Sequence, residues 1–139
     1  MKKNLLLLLI PALTLMFFIT SCSKNDDNNN NQSNTTPQGT WSGTGQYGTS
    51  GGNPTYAFTV TFNANGTVNI VGNNNVAIDN ATGTWQMVGD SVRAYYTYAA
   101  SSANYALSAK YTAGANVMVG TIGLGTVTSG VGIFSISRQ

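Results

Sequence analysis

TYAFTVTFNANGTVNIV, residues 55–71, decides how the rest of the chain is read. Tyr56, Phe58, Val60 and Phe62 fall on one face of an extended chain, and Thr55, Ala57, Thr59 and Thr61 on the other. Apolar-in, polar-out alternation of period two marks a half-buried antiparallel strand. Asn63-Ala64-Asn65-Gly66 then breaks the pattern with a hairpin signal ending in Asn-Gly, and Thr67 to Val71 returns as the partner strand.

The same grammar runs outward in both directions. Upstream lies Thr40 to Tyr47. Downstream, Gly72 to Asn75 reads as a turn, Val76 to Asp79 as a short extended stretch, and Asn80 to Gly83 as another turn. Gly83 to Val88 carries Trp85, and Gly89-Asp90 turns the chain into Ser91 to Ala99. There Val92, Ala94, Tyr96 and Tyr98 alternate against Arg93, Tyr95 and Thr97. Asn104 to Thr112, Val117 to Leu124 and Gly130 to Arg138 complete the set, and no amphipathic helical period follows Cys22. About eight short strands with turns every 8–12 residues imply an all-β sandwich or barrel. Short sequential links favour a meander, and closing a meander into a barrel removes its two open edges. The expectation is therefore a small antiparallel up-and-down β-barrel over residues 39–139, with a β-sandwich as the alternative. A membrane-spanning barrel is not expected, because its strands need about 9–11 residues and a lipid-facing belt.

Ahead of this body stand two segments of different character. Lys2 and Lys3 precede an apolar run from Leu5 to Ile19, shorter than the roughly 20 residues of a membrane-spanning helix, which reads as a secretory signal peptide over residues 1–21. Residues 22–38 follow, beginning with the only cysteine, Cys22. From Ser23 to Gln38 there is no large hydrophobic residue, so the segment cannot offset its own ordering entropy and reads as a tether. Such a tether spans roughly 20–25 Å on average.

Charge and chemistry narrow the function. The precursor carries a net charge of +2, but Lys2 and Lys3 leave with the leader. Lys24, Arg93, Lys110 and Arg138 then balance Asp26, Asp27, Asp79 and Asp90, so no basic surface argues for nucleic acid. The chain has no histidine, which removes a Ser-His-Asp triad, and with one cysteine no zinc site is expected. Asp79 and Asp90 are the body's only acids. A carboxylate pair would need them to face each other. Asp79 with Asn73–Asn75 and Asn80 gathers oxygen atoms, but residues of these types cap turns by themselves. No enzyme activity, metal or cofactor is expected.

Ile19-Thr20-Ser21-Cys22, placed directly after the apolar run, resembles the lipobox of bacterial lipoproteins. The resemblance implies cleavage before Cys22, acylation of its thiol and anchorage in a lipid bilayer. Ser23, Lys24, Asp26 and Asp27 resemble the surface-export signal of Bacteroidetes-type lipoproteins, which implies an outer-membrane protein facing the cell exterior; Asn25 interrupts that pattern. Asp90-Ser91-Val92 resembles the O-glycosylation tripeptide of the same group. Gly39-Thr40-Trp41-Ser42-Gly43, Gly83-Thr84-Trp85, Gly89-Asp90-Ser91-Val92 and Gly132-Ile133-Phe134 together resemble the small lipocalin-like domains of bacterial surface lipoproteins. That implies a barrel in which Trp41 plugs one end.

An eight-stranded barrel is just wide enough to be filled by side chains or to hold one small ligand. Tyr56, Phe58, Trp85, Tyr96, Tyr98, Tyr105 and Tyr111 are the candidate lining residues. Two functions remain: a binding module for a small hydrophobic or glycan-like ligand, or a filled-core interaction protein that meets envelope or host proteins through its loops.

Overall fold

A computed structural model of the chain describes residues 35–139. The segment expected to be a signal peptide, Cys22 and the candidate export residues Ser23, Lys24, Asp26 and Asp27 lie outside the described residues.

Eight strands follow one another: β1 (Gly39–Tyr47), β2 (Thr55–Phe62), β3 (Thr67–Gly72), β4 (Asn80–Val88), β5 (Ser91–Tyr98), β6 (Asn104–Lys110), β7 (Val117–Leu124) and β8 (Gly132–Arg138). Each pairs antiparallel with the next, and β8 returns to β1 from Trp41↔Arg138 to Tyr47↔Gly132, closing the ring. This is the up-and-down barrel expected from the meander. A sandwich would leave β1 and β8 unpaired, whereas closure satisfies both edges.

The opening stretch behaves as its alternation demands. Phe58, Val60 and Phe62 are buried, with Val68 and Ile70 beside them on β3. In the turn, Asn65 Oδ1 accepts from the Thr67 backbone N–H at 3.1 Å and from its hydroxyl at 2.7 Å. Inward residues from all eight strands join these in one core, which includes Trp41, Val92, Leu107, Met118, Phe134 and Ile136. Each large side chain so buried contributes about 1.5–3 kcal/mol.

Glycine occupies two inward positions, on β1 and β4, where a neighbouring strand's backbone comes too close for any side chain. A Cβ on Gly43 would lie 2.2 Å from Ser135 O, and one on Gly83 would lie 1.9 Å from Tyr95 O. Only a residue without a side chain lets those neighbouring strands approach so closely.

One segment departs from expectation. Asn80 to Gly83 is not a turn but the first half of β4, pairing with β3 through Ile70↔Ala81 and with β5 through Gly83↔Tyr96. The reversal is made earlier, over 73–79. Asn75 Oδ1 accepts from the N–H groups of Ala77 and Ile78, and Asn75 O accepts from Asp79 N–H. Val76 to Asp79 is therefore turn, held by a local side-chain cap.

The two ends of the barrel differ. At one end lie the turns 63–66, 89–90 and 111–116, and the chain enters there. Trp41 is fully buried, its indole N–H donating to Pro37 O at 2.8 Å. The Arg138 guanidinium covers the Trp41 ring at 4.4 Å and donates to Thr36 O and Gln38 O. Residues 36–38, read from sequence as the end of the tether, are thus fastened to the barrel. This end is closed. At the other end lie the longer loops 48–54, 73–79, 99–103 and 125–131.

Candidate functional site

The open end holds a cavity of about 290 Å³. Strand periodicity aims its walls. On β5 the inward positions are Tyr96 and Tyr98, and on β6 Tyr105 stands directly opposite Tyr96. The rings of Tyr96 and Tyr105 stack at 6.1 Å, and Tyr98 meets them edge-on at 5.8 and 5.6 Å. Such pairs prefer these stacked and T-shaped arrangements because the ring face is negative and its edge positive.

Across the barrel, β1 and β2 build the facing wall. Tyr47 and Tyr56 lie 4.6 Å apart, and Tyr56 stands edge-on to Phe58, one layer deeper. Gly45 is register partner to Tyr56, and a Cβ there would fall 2.4 Å from the Tyr56 ring. The glycine leaves the space that the aromatic ring fills. Ile122 contributes from β7, while Asn73, Ile78, Asp79 and Ser101 come from the rim loops.

The electrostatics are one-sided. Among the described residues lining the cavity, Asp79 is the one charged side chain. Its Oδ2 accepts from Asn73 Nδ2 at 3.1 Å. Burial, then the nearby Asp79, pushes the Tyr98 hydroxyl up to about 12. Burial raises Tyr56 and Tyr96 further still, helped by Tyr98. All three hydroxyls are neutral at physiological pH. Among the described residues, no group hydrogen-bonds the hydroxyls of Tyr56, Tyr96, Tyr98 or Tyr105.

Four of the seven residues picked from sequence therefore meet in one place: Tyr56, Tyr96, Tyr98 and Tyr105. The other three do not line the cavity. Phe58 is fully buried and packs on Phe134 at 5.7 Å, as core beneath the cavity. Trp85 belongs to the closed end, packed on Phe62 at 5.4 Å with its indole N–H donating to Asn63 O at 2.9 Å. Tyr111 also sits there, edge-on to Trp41 at 6.2 Å, where its hydroxyl accepts from Arg138. Period two says which face a residue takes, but not which end of the barrel it reaches.

Tyr47 and Asp79 were missing from the sequence-derived lining. Tyr47 continues the inward phase from Trp41 through Gly43 and Gly45, so counting by two would have found it. Asp79 sits in an irregular loop, where no period applies.

The two body acids cannot cooperate. Asp79 is at the open end, while Asp90 is at the closed end, paired with Lys110 at 2.9 Å. Among the described residues no group of three or more Asp, Glu, His or Cys is placed to hold a metal. Asn75 Oδ1 and Asp79 Oδ2 serve instead as acceptors within their own loop. Ser91, in the candidate glycosylation tripeptide, donates its hydroxyl to Asp90 Oδ1 at 3.2 Å beside the closed-end turn. A second hollow of about 390 Å³ is a shallow groove on the outer wall between Thr84, Tyr95 and Thr97. There Thr97 and Asn104 already satisfy each other at 2.6 Å.

Compared with models of known families, with curated proteins and with solved structures, the chain matches none. Its function has to be read from the site itself, since one fold serves many activities.

Proposed function

We propose that this protein is a lipid-anchored outer-membrane protein, facing the cell exterior, whose barrel is a non-catalytic binding module for a small hydrophobic or aromatic-stacking ligand. One observation carries the binding half: a tyrosine-lined cavity of about 290 Å³ at the open end of an otherwise filled barrel. That volume stands just below the roughly 300–1,000 Å³ range of small-molecule sites, so the ligand is compact. The anchor half is supported by the sequence Ile19-Thr20-Ser21-Cys22 after an apolar leader. The described chain enters the barrel at the closed end, opposite the cavity's mouth.

The test is displacement of a small aromatic fluorescent probe from the full-length protein. Ser101→Trp, at an exposed rim position, should block the mouth and abolish probe binding without lowering the melting temperature. Probe binding unaffected by this block would place the ligand elsewhere. Mass spectrometry of the mature N-terminus should find Cys22 acylated, and a free Cys22 thiol would refute the anchor. Protease shaving of intact cells should remove the barrel.

A second reading has its own support. Val76, Ile78, Leu124 and Val127 are all more than half exposed on or beside the open-end loops, as a protein-docking rim would be. If no small probe enters the wild-type cavity, the loop-mediated interaction protein becomes the better account.

A further inference from the structure

We propose that the ligand of this cavity is a small organic cation, its alkylated ammonium group seated between the two tyrosine walls with Asp79 as counter-charge. The inference rests on the reading of the cavity as a small-ligand site and adds the sign of the ligand's charge.

Three observations lead there. First, the walls are aromatic on both sides: Tyr47 and Tyr56 face Tyr96, Tyr98 and Tyr105 across the ring. A cation within about 6 Å of a ring centroid is attracted by the ring's quadrupole, more so where water is excluded, and aromatic cages are how proteins hold quaternary ammonium groups. The unpartnered tyrosine oxygens also present lone pairs to any positive centre.

Second, the charge around the cavity has one sign. Asp79 stands in the lining with no cation beside it among the described residues. Arg138 is locked over Trp41 at the closed end, and Lys110 is paired with Asp90 at that same end. Arg93 is on the outward phase of β5, between the buried Val92 and Ala94. An anionic ligand such as a fatty acid or a phosphate ester would meet a carboxylate and find nothing to neutralise it. An unpaired charge moved into such a site costs far more than it gains.

Third, the two amide side chains of the lining that could donate to a sugar are already engaged within the rim. Gln46 donates its amide to Ser50 O at 2.8 Å, and the Asn73 amide is given to Asp79. The hydroxyls of Tyr56, Tyr96, Tyr98 and Tyr105 have no hydrogen-bond partner among the described residues, and their oxygens suit a compact cation. The raised ionisation of Tyr98 fits this field, since Asp79 contributes to it.

The experiment is calorimetric or NMR titration of the full-length protein with choline and with its neutral isostere 3,3-dimethylbutan-1-ol. Choline should bind saturably and the isostere roughly 10-fold more weakly or worse, the range a desolvated cation–π site provides. Asp79→Asn should weaken choline several-fold while leaving the isostere unchanged. The amide oxygen introduced by Asp79→Asn can still accept from Asn73, so this variant removes the charge and keeps the loop hydrogen bond; an unchanged melting temperature checks that the loop is intact. Tyr98→Phe should keep most of the affinity and Tyr98→Leu lose it. Equal binding of choline and the isostere, or an Asp79→Asn variant that binds choline like wild type, overturns the inference while the cavity reading stands. An aromatic probe that binds while choline does not has the same meaning. If neither choline, nor the isostere, nor that probe binds, the cavity reading itself falls.

Discussion

Tyr56, Tyr96 and Tyr98 are the residues where burial changes chemistry. Their hydroxyls ionise later than a free tyrosine's, chiefly because a phenolate would lose its solvation there. The sign follows directly. In the unfolded chain tyrosine ionises near pH 10, while in the barrel Tyr98 holds its proton up to about 12 and the other two beyond that. Below pH 10 both states keep the proton and stability does not vary with these groups. Above it the unfolded chain releases protons that the native state keeps, so stability falls as pH climbs from about 10 through 12. A spectrophotometric titration of the native protein should show at least three of its seven tyrosines lagging the free side chain. Unfolding should then release the lag as one cooperative step. Native tyrosines that all titrate near pH 10 would mean a wet, open interior. The inward direction of these tyrosines was legible from alternation alone. Tyr47 was hidden because Gly43 and Gly45 carry no side chain to display the period.

At the scale of elements, the close approaches at glycine matter most. Gly83→Ala would drive a methyl into the Tyr95 carbonyl, and the strands must separate to admit it. We expect about 1–3 kcal/mol of lost stability by urea denaturation, the usual cost of overpacking. Gly51→Ala meets nothing within 4 Å and should fall within about 0.5 kcal/mol of wild type. If both variants unfold alike, the close approach at Gly83 is not a constraint. This same residue explains why the start of β4 was misread. Asn80-Ala81-Thr82-Gly83 has turn composition, yet its backbone bonds are taken by β3 on one side and β5 on the other. Pairing on both edges outweighs a local turn preference. The true turn was available one segment earlier, where Asn73 and Asn74 adopt left-handed backbone and Asn75 caps the loop.

At the scale of the molecule, closure is the decisive event. Arg138 hydrogen-bonds Gln38 across a separation of 100 residues, and β8 zips onto β1 along the register from Trp41 to Tyr47. Deleting 132–139 would expose the edges of β1 and β7 and uncover Trp41. We expect that variant to lose cooperative unfolding by circular dichroism and to associate in sedimentation. A truncated chain that stays monomeric and melts sharply would show that the first seven strands are self-sufficient. The sequence by itself determined the strand content, the facing of the inward residues on β2, β5 and β6, the meander order, and the absence of histidine chemistry. All of these follow from period, turn residues and composition, which are local. Only the tertiary structure decided which inward aromatics share an end. It sent Trp85 and Tyr111 to the plugged end with Trp41, and gathered Tyr47, Tyr56, Tyr96, Tyr98 and Tyr105 around the hollow with Asp79 at its rim. The reason is geometric: height along the barrel axis depends on strand direction, register and loop length summed around the whole ring, and no single stretch of sequence carries that sum.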